Sequence, residues 1–386
     1  MISYGRQSIN DNDIKSVTKV LKSDFLTQGP VVKQFEQNLS NFFKCKHAIA
    51  VSSGTAALNL ISQVLGWKKN DIIIASPITF ISSSNCILHA GATPHFVDIN
   101  MDDFSIDLNK LEKEIITLLK KRKNLKAVVV TDFAGHPSNW IELNRLKKKY
   151  KFKLINDNCH SMGSSINNDY GYAVKYADLV SLSFHPVKNI TTGEGGAILT
   201  NNNKYSKILK YLSSHGVVRN AKMKKKNGPW YYEMRYLGNN YRMPDINAAL
   251  GISQLKRIKT FVKRRKAIAK FYDKIFSNNS KFIIPKIKKN FSHSYHLYPL
   301  LLNTKIIKKT KKSIFNEFLK NNIKLQVHYI PVNFQPYYKK IVKQNKNQFK
   351  NSILFYKRQI SLPIYFNLTY KELQHVKKTC KRIFNF

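Results

Sequence analysis

Three short segments carry residue types able to do chemistry together. The first ends in Lys188: Ser183-Phe184-His185-Pro186-Val187-Lys188 is followed by the glycine-rich run Thr192-Gly193-Glu194-Gly195-Gly196. A lysine in an apolar, glycine-flanked turn is desolvated, and desolvation favours the neutral amine, the form that attacks an aldehyde. The second segment is Ile155-Asn156-Asp157-Asn158-Cys159-His160-Ser161. Its Asp157 follows an apolar strand, where α/β enzymes bind ligands. Facing a pyridine-type nitrogen, such a carboxylate keeps the ring protonated and makes it an electron sink. The third is Ser52-Ser53-Gly54-Thr55-Ala56-Ala57-Leu58, a strand end opening into a helix. Free N–H groups and the positive dipole end of a helix bind phosphate, and Gly54 lets the backbone approach closely. Each segment has a plainer reading: a surface lysine among many, an Asp that caps a helix, an ordinary serine N-cap. Together, in this order and each at a strand end, a phosphate grip, an acid and an amine form a layout that suits one phosphate-bearing aromatic aldehyde.

The elements around these segments agree with that layout. Candidate strands are His47–Val51, Ile72–Ala75, His95–Val97, Ala127–Val130, Lys153–Ile155, Leu179–Ser183 and Gly196–Leu199. Amphipathic helical stretches such as Leu108–Lys121 and Trp140–Tyr150 lie between them. Alternating strands and helices imply a mostly parallel sheet covered on both faces. Two helical segments come first, near Asp11–Ser23 and Val31–Phe43, with a turn at Thr27-Gln28-Gly29-Pro30. A long helical stretch from about Pro244 to Phe276 bridges to the remainder, and Asn278-Asn279-Ser280 ends it. Beyond it the sequence reads as a smaller α/β unit, with strands near Ser294–Leu302 and Lys324–His328, a helix near Lys311–Asn321 and a last helix from Tyr370. The expected division is a large domain over 1–250 and a linking helix with a small C-terminal domain over 251–386.

With 386 residues, 43% of them hydrophobic, the chain can bury a large core in more than one domain. The net charge of +44 suggests nucleic acid or an anionic membrane when taken alone. The basic residues, however, form short runs along the whole chain, at 120–123, 147–149 and 222–226, beside abundant Asn and Ile. That pattern reads as a lysine-loaded solvated surface, and no nucleic-acid motif accompanies it. A positive surface also draws in a doubly charged anionic substrate. Cys45, Cys86, Cys159 and Cys380 form no metal-ligand spacing, so no metal is expected. No apolar run approaches a membrane span, and the first residues lack a signal-peptide layout, which places the protein in the cytoplasm.

The chain resembles the DegT/StrS group of sugar-nucleotide aminotransferases from end to end. The matching segments are Leu26–Pro30, Ser52–Leu58, Ser76-Pro77-Ile78-Thr79-Phe80, Asp157–His160, Ser183–Lys188, Thr192–Gly196, Gly238-Asn239-Asn240-Tyr241-Arg242-Met243, Ala248-Ala249-Leu250-Gly251 and Gln254-Leu255. Further pieces are most similar to the branch of the family that serves pseudaminic acid biosynthesis: Ile190-Thr191-Thr192, Ser213-Ser214-His215-Gly216, His296-Leu297-Tyr298-Pro299 and Gln326–Tyr329. The resemblance implies the fold-type I architecture of pyridoxal-phosphate (PLP) enzymes, PLP as cofactor, L-glutamate as amino donor and amination at C4 of a UDP-linked 4-keto-6-deoxy-2-acetamido sugar. It also implies a homodimer with shared active sites.

By matching position, Lys188 holds the cofactor covalently and carries protons, and Asp157 pairs with the ring nitrogen. Phe80 stacks on the ring and His160 lies near its hydroxyl. Gly54, Thr55 and Ser183 hold the phosphate, with Asn240 arriving from a neighbouring subunit. Tyr4, Asp24, Phe25, Leu26, Thr27, Ser53, Ser183, Asn240, Gln326, Val327, His328 and Tyr329 match positions that contact the sugar nucleotide. On the residues alone, Phe80 can be core, His160 a structural histidine, Tyr4 a seam residue, and His328 with Tyr329 packing after a strand. Asn156 stands where many members have Glu. The basic loop Arg219–Tyr236 reads as a solvated segment or as a cover meeting diphosphate. Family members that dehydrate sugars replace the lysine by His, whereas Lys188 is present here. The rival functions are transamination of a dTDP- or GDP-linked keto sugar, and a basic DNA-binding regulator on the same scaffold.

Overall fold

The computed structural model describes residues 1–386. Seven strands form the main sheet: β1 (His47–Val51), β2 (Asp71–Ala75), β3 (Thr93–Phe96), β4 (Asn124–Thr131), β5 (Lys153–Asp157), β7 (Leu179–Ser183) and β8 (Gly196–Thr200). The two-residue β6 (Ser165–Ile166) lies outside it, paired with Phe291–Ser292. The order across the sheet is β1-β8-β7-β5-β4-β2-β3. From β7 to β3 every pair is parallel, while β8 runs antiparallel to both β1 and β7. The C-terminal ends of the parallel strands therefore share one edge with the N-terminal end of β8. Ser52, Thr131, Asp157, Ser183 and Gly196 all lie at that edge.

The strands are short, aliphatic and buried on both faces, as a sheet covered by helices on each side requires. Helices α1 (Asp11–Leu21), α2 (Pro30–Phe43), α3 (Gly54–Val64), α4 (Ser82–His89), α5 (Leu108–Lys120) and α6 (Trp140–Tyr150) precede β5 in the chain. One face of the sheet buries Val128, Val130, Leu154, Val180 and Leu182 against Phe35, Trp140 and Leu143. The other buries Ile49, Ile73, Val129, Ile155 and Ile198 against Leu58, Ile61 and Ile87. A third apolar core gathers Ile268, Tyr272 and Phe276 with Leu300, Phe318, Ile360, Val376 and Ile383, and it takes in Ile2 from the N-terminus. Around it, Phe282–Ile283, Tyr298–Leu302 and Gln359–Leu362 form an antiparallel three-stranded sheet.

Three local expectations are corrected. The long bridging stretch is two helices, Asp245–Lys256 and Ile258–Phe276, interrupted at Arg257, whose backbone leaves the helical region at φ −101° and ψ 1°. The strand expected over Ser294–Leu302 begins only at Tyr298. The segment Lys324–His328 is not a strand: it makes a single bridge, Gln326 to Ser361, and the His328 amide donates instead to the Gln359 side chain at 3.0 Å. Side-chain partners there take the place of a backbone ladder.

Candidate active site

The edge of the sheet opens into a cavity of about 640 Å³, within the range of small-molecule and cofactor sites. Its wall brings together Ser53, Gly54 and Thr55, Phe80, Asp157, Cys159 and His160, Ser183 and Lys188, and Tyr4 with Gln326–Tyr329. Segments far apart in sequence thus meet because parallel strands end side by side.

The N-terminus of α3 forms one side. Ser53 caps it, its hydroxyl accepting from the Ala56 amide at 3.0 Å. The amides of Gly54 and Thr55 have no acceptor within the helix, which leaves two donors for an anion. A side chain at Gly54 would place its Cβ 2.9 Å from Ser183 Cβ and 3.4 Å from Cys159 Sγ. At Gly196 a Cβ would lie 2.5 Å from the Ser53 carbonyl. The glycines let β8 and the Ser183 turn close against the helix end, producing a cradle of backbone N–H and hydroxyl groups.

Asp157, at the end of β5, is buried. One carboxylate oxygen accepts from the Cys159 amide at 3.3 Å and the Ser181 hydroxyl at 3.4 Å, and the other accepts from the Ser83 hydroxyl. Three donors hold the carboxylate in one orientation. Lys188 follows β7 on a turn closed by its own amide donating to the His185 carbonyl at 2.8 Å. The Asn189 side chain ties this turn to the Met162 carbonyl at 2.8 Å, and the Asn247 side chain holds the glycine run by donating to its Thr192 carbonyl at 2.7 Å. The Lys188 side chain touches the cavity while protein crowds its amine, and that burial lowers its pKa. The Cys159 thiol and the Asp157 carboxylate pull the other way without reversing the shift.

Histidines line the far wall. Nδ1 of His160 accepts from the Ala134 amide at 3.4 Å, so the proton resides on Nε2 and points at the Tyr329 hydroxyl 3.0 Å away. Burial, then the Lys188 charge, holds the His160 and His296 pKa values well below the ordinary one, and His328 is brought down to about 3 by the same causes. Neutral imidazoles add no positive charge beside the Lys188 amine. Phe80 is 51% exposed, an aromatic face turned to the cavity with Tyr329 as its nearest ring at 6.1 Å.

Not every expected residue is here. Asp24, Phe25, Leu26 and Thr27 are exposed on the loop before α2 and do not line this cavity. Asn240 is also exposed and away from it, bridged to Ser214. Other wall residues were not singled out: Thr79, Ser82, His185, Val187, Glu194, His296 and Gln335. Nor was Ser83, on Asp157. Thr79 precedes Phe80 in the segment already noted, whereas Ser83 lies three residues beyond its end.

The site's donors, acid and amine suit PLP: a cradle for its phosphate, a carboxylate for its ring nitrogen and a lysine for its aldehyde. Residues 7–381 match the model of the DegT/DnrJ/EryC1/StrS aminotransferase family. A Campylobacter jejuni protein named UDP-4-amino-4,6-dideoxy-N-acetyl-beta-L-altrosamine transaminase is 39% identical over 379 residues, covering 98% of this chain and 96% of its own. Helicobacter pylori PseC, an aminotransferase involved in the biosynthesis of pseudoaminic acid, superposes with a TM-score of 0.90 at 32% identity, over 100% of this chain and 99% of its own. Streptococcus pneumoniae Spr1654 in its PLP-form superposes with a TM-score of 0.88 at 28% identity, over 99% and 98% of the two chains. The cofactor is pyridoxal phosphate, the fold is fold-type I, and the chain belongs to the DegT/DnrJ/EryC1/StrS aminotransferase family.

Proposed function

We propose that this aminotransferase moves an amino group from L-glutamate to C4 of a UDP-linked 4-keto-6-deoxy-2-acetamido sugar, in the pathway to pseudaminic acid. The observation that carries the reading is the meeting of the Lys188 amine and the Asp157 carboxylate in one cavity with the open N-terminus of α3. The name of the C. jejuni relative and the involvement of PseC in pseudoaminic acid biosynthesis supply the substrate class.

In this reading PLP, when bound, supplies an aldehyde to receive the amino group and an electron-poor ring to stabilise the adjacent negative charge. Gly54, Thr55 and Ser183 would hold its phosphate. Asp157 would keep a proton on the ring nitrogen. Phe80 would stack on the ring, and His160 would meet the ring hydroxyl. Lys188 would hold the cofactor through its aldehyde, and its amine, when free, would be the base that moves the proton. A lowered pKa suits both duties, because the amine must be unprotonated to attack and to accept a proton.

Tyr4, Ser53 and Gln326–Tyr329 form the wall that would meet the sugar nucleotide. Asp24–Thr27 and Asn240 would serve the site of a second copy of the chain. Supporting this, the segment leading to Asn240 exposes Trp230, Tyr232, Met234 and Leu237 by 76%, 55%, 66% and 84%, an apolar surface that a second copy would cover.

The test is incubation of the PLP-loaded enzyme with L-glutamate and a panel of UDP-, dTDP- and GDP-linked keto sugars, with products read by mass spectrometry. An amino product from the UDP-linked 4-keto sugar, lost in Lys188→Ala, is the expected result. Turnover only with a dTDP- or GDP-linked sugar overturns the substrate assignment, and activity in Lys188→Ala overturns the role of the lysine.

A further inference from the structure

A line of buried hydroxyls leads to Asp157 from the neighbouring strand β4. Thr131 ends β4 directly beside Asp157 in the parallel register. Its hydroxyl lies 2.9 Å from that of Thr79, in the loop after β2, and the Thr79 hydroxyl lies 2.9 Å from that of Ser83, in the first turn of α4. Ser83 in turn meets Asp157 Oδ2. All four side chains are buried, between 1% and 5% exposed.

The end of the line sets its direction. An ionised carboxylate only accepts, so Ser83 donates to Asp157. With its single proton committed, Ser83 accepts from Thr79, and Thr79 accepts from Thr131. Each hydroxyl is polarised by the one before it, and hydrogen bonds in such a chain strengthen one another in a low-dielectric interior. The three hydroxyls come from three elements, so the carboxylate is fixed against β4, the β2 loop and α4 at once.

We infer that Ser83 is a positioning residue for the reaction, donating the hydrogen bond that aims and holds the Asp157 carboxylate, with Thr79 and Thr131 as its support. The inference rests on the reading of Asp157 as the partner of the cofactor ring nitrogen. A carboxylate free to rotate would share the ring proton less well, weakening both cofactor retention and the ring's capacity to draw electrons.

The test is a double-mutant cycle of Ser83→Ala and Asp157→Asn, with Ser83→Thr as the conservative variant. The affinity of the apoenzyme for PLP is measured by fluorescence titration, alongside kcat and KM of the holoenzyme. Ser83→Ala is expected to weaken PLP binding and lower kcat by about tenfold each, the size of one hydrogen bond to a charged group. KM for the amino donor stays within about twofold because Ser83 does not touch the substrate. Ser83→Thr restores both values. On the Asp157→Asn background the loss of Ser83 has no further effect, because its acceptor charge is gone. Additive losses, or wild-type behaviour of Ser83→Ala beside a disabled Asp157→Asn, overturn the inference alone. A fully active Asp157→Asn overturns the reading of Asp157 itself. If Ser83→Ala fails to fold, Thr79→Val decides: a smaller loss in the same direction supports the chain, and unchanged PLP affinity overturns it.

Discussion

The Tyr329 hydroxyl lies 3.0 Å from Nε2 of His160, joining the C-terminal part of the chain to the loop at the end of β5. Since His160 spends its proton on this contact, the Tyr329 hydroxyl is left with its own proton to offer to the cavity. The same side chain closes a ring cluster with Phe80, Phe133 and His328. One wall of the site therefore depends on residues beyond the main sheet being docked in place.

Tyr329→Phe keeps the ring and removes the bond. The buried N–H of His160 is left without an acceptor, which costs about 1–3 kcal/mol. Urea unfolding of the PLP-free protein should show a lower midpoint of that size, and turnover of the keto sugar should fall. An unchanged midpoint would mean that His160 finds another partner and that the contact does not join the two parts.

Gly54→Ala tests the cradle. The new methyl falls 2.9 Å from Ser183 Cβ, too close for two carbons held by backbone, so the Ser183 turn must shift. Alanine suits the first turn of a helix, and the fold should survive. The strain belongs to the site, about 1–3 kcal/mol for an overpacked position, and PLP affinity should drop accordingly. Equilibrium dialysis against PLP checks it; wild-type affinity would show that the α3 end is not where the phosphate lies.

What was legible in the sequence was local. Ser52–Leu58, Asp157 and Lys188 each stand at a strand-to-helix or strand-to-turn junction, and parallel strands bring such junctions to one edge without further information. What was hidden depends on three-dimensional neighbours. Ser83 and Thr131 are small hydroxyl residues on different elements, and nothing in either segment says that they converge on Asp157. The segment Lys324–His328 has strand-like residues, yet it makes one backbone bridge to Ser361 and its His328 amide turns to the Gln359 side chain in place of a ladder. The interruption at Arg257 coincides with a long-range contact, its guanidinium reaching back to the buried Asp13 of α1. Asp24–Thr27 and Asn240 lie outside the cavity of their own chain, a placement that matching segments one by one does not reveal.

Acid should destabilise the protein through its buried histidines. The His328 pKa in the folded state is about 3, below the ordinary value near 6.5. Between those values the unfolded chain binds a proton that the folded chain does not, so stability is complete above about pH 6.5 and declines as pH falls toward 3. One such group gives a slope of about 1.4 kcal/mol per pH unit at most. His328→Gln, which retains a polar partner for Ser361, should show a smaller loss of urea midpoint between pH 7 and pH 5 than the wild type. Equal losses in the two proteins would exclude His328 as a contributor.

Asp245 offers the last test, because a single buried carboxylate organises the loop that carries Asp24–Thr27. Its oxygens accept from the amides of Gly29 at 2.7 Å, Val31 at 2.9 Å and Val32 at 3.1 Å, satisfying the open N-terminus of α2 with a negative charge at the positive end of the helix. Its own amide donates to the Leu26 carbonyl at 2.9 Å, and Thr27 bridges to Pro244. Asp245→Ala removes the acceptor from three amides and should lower stability by about 3 kcal/mol. Asp245→Asn retains one carbonyl oxygen and should recover part of that loss. If Asp24–Thr27 serve the sugar nucleotide in the site of a second copy, the Asn variant should also raise KM for the keto sugar while leaving KM for the amino donor unchanged. A stability loss with both KM values at wild type would confine the role of Asp245 to holding α2.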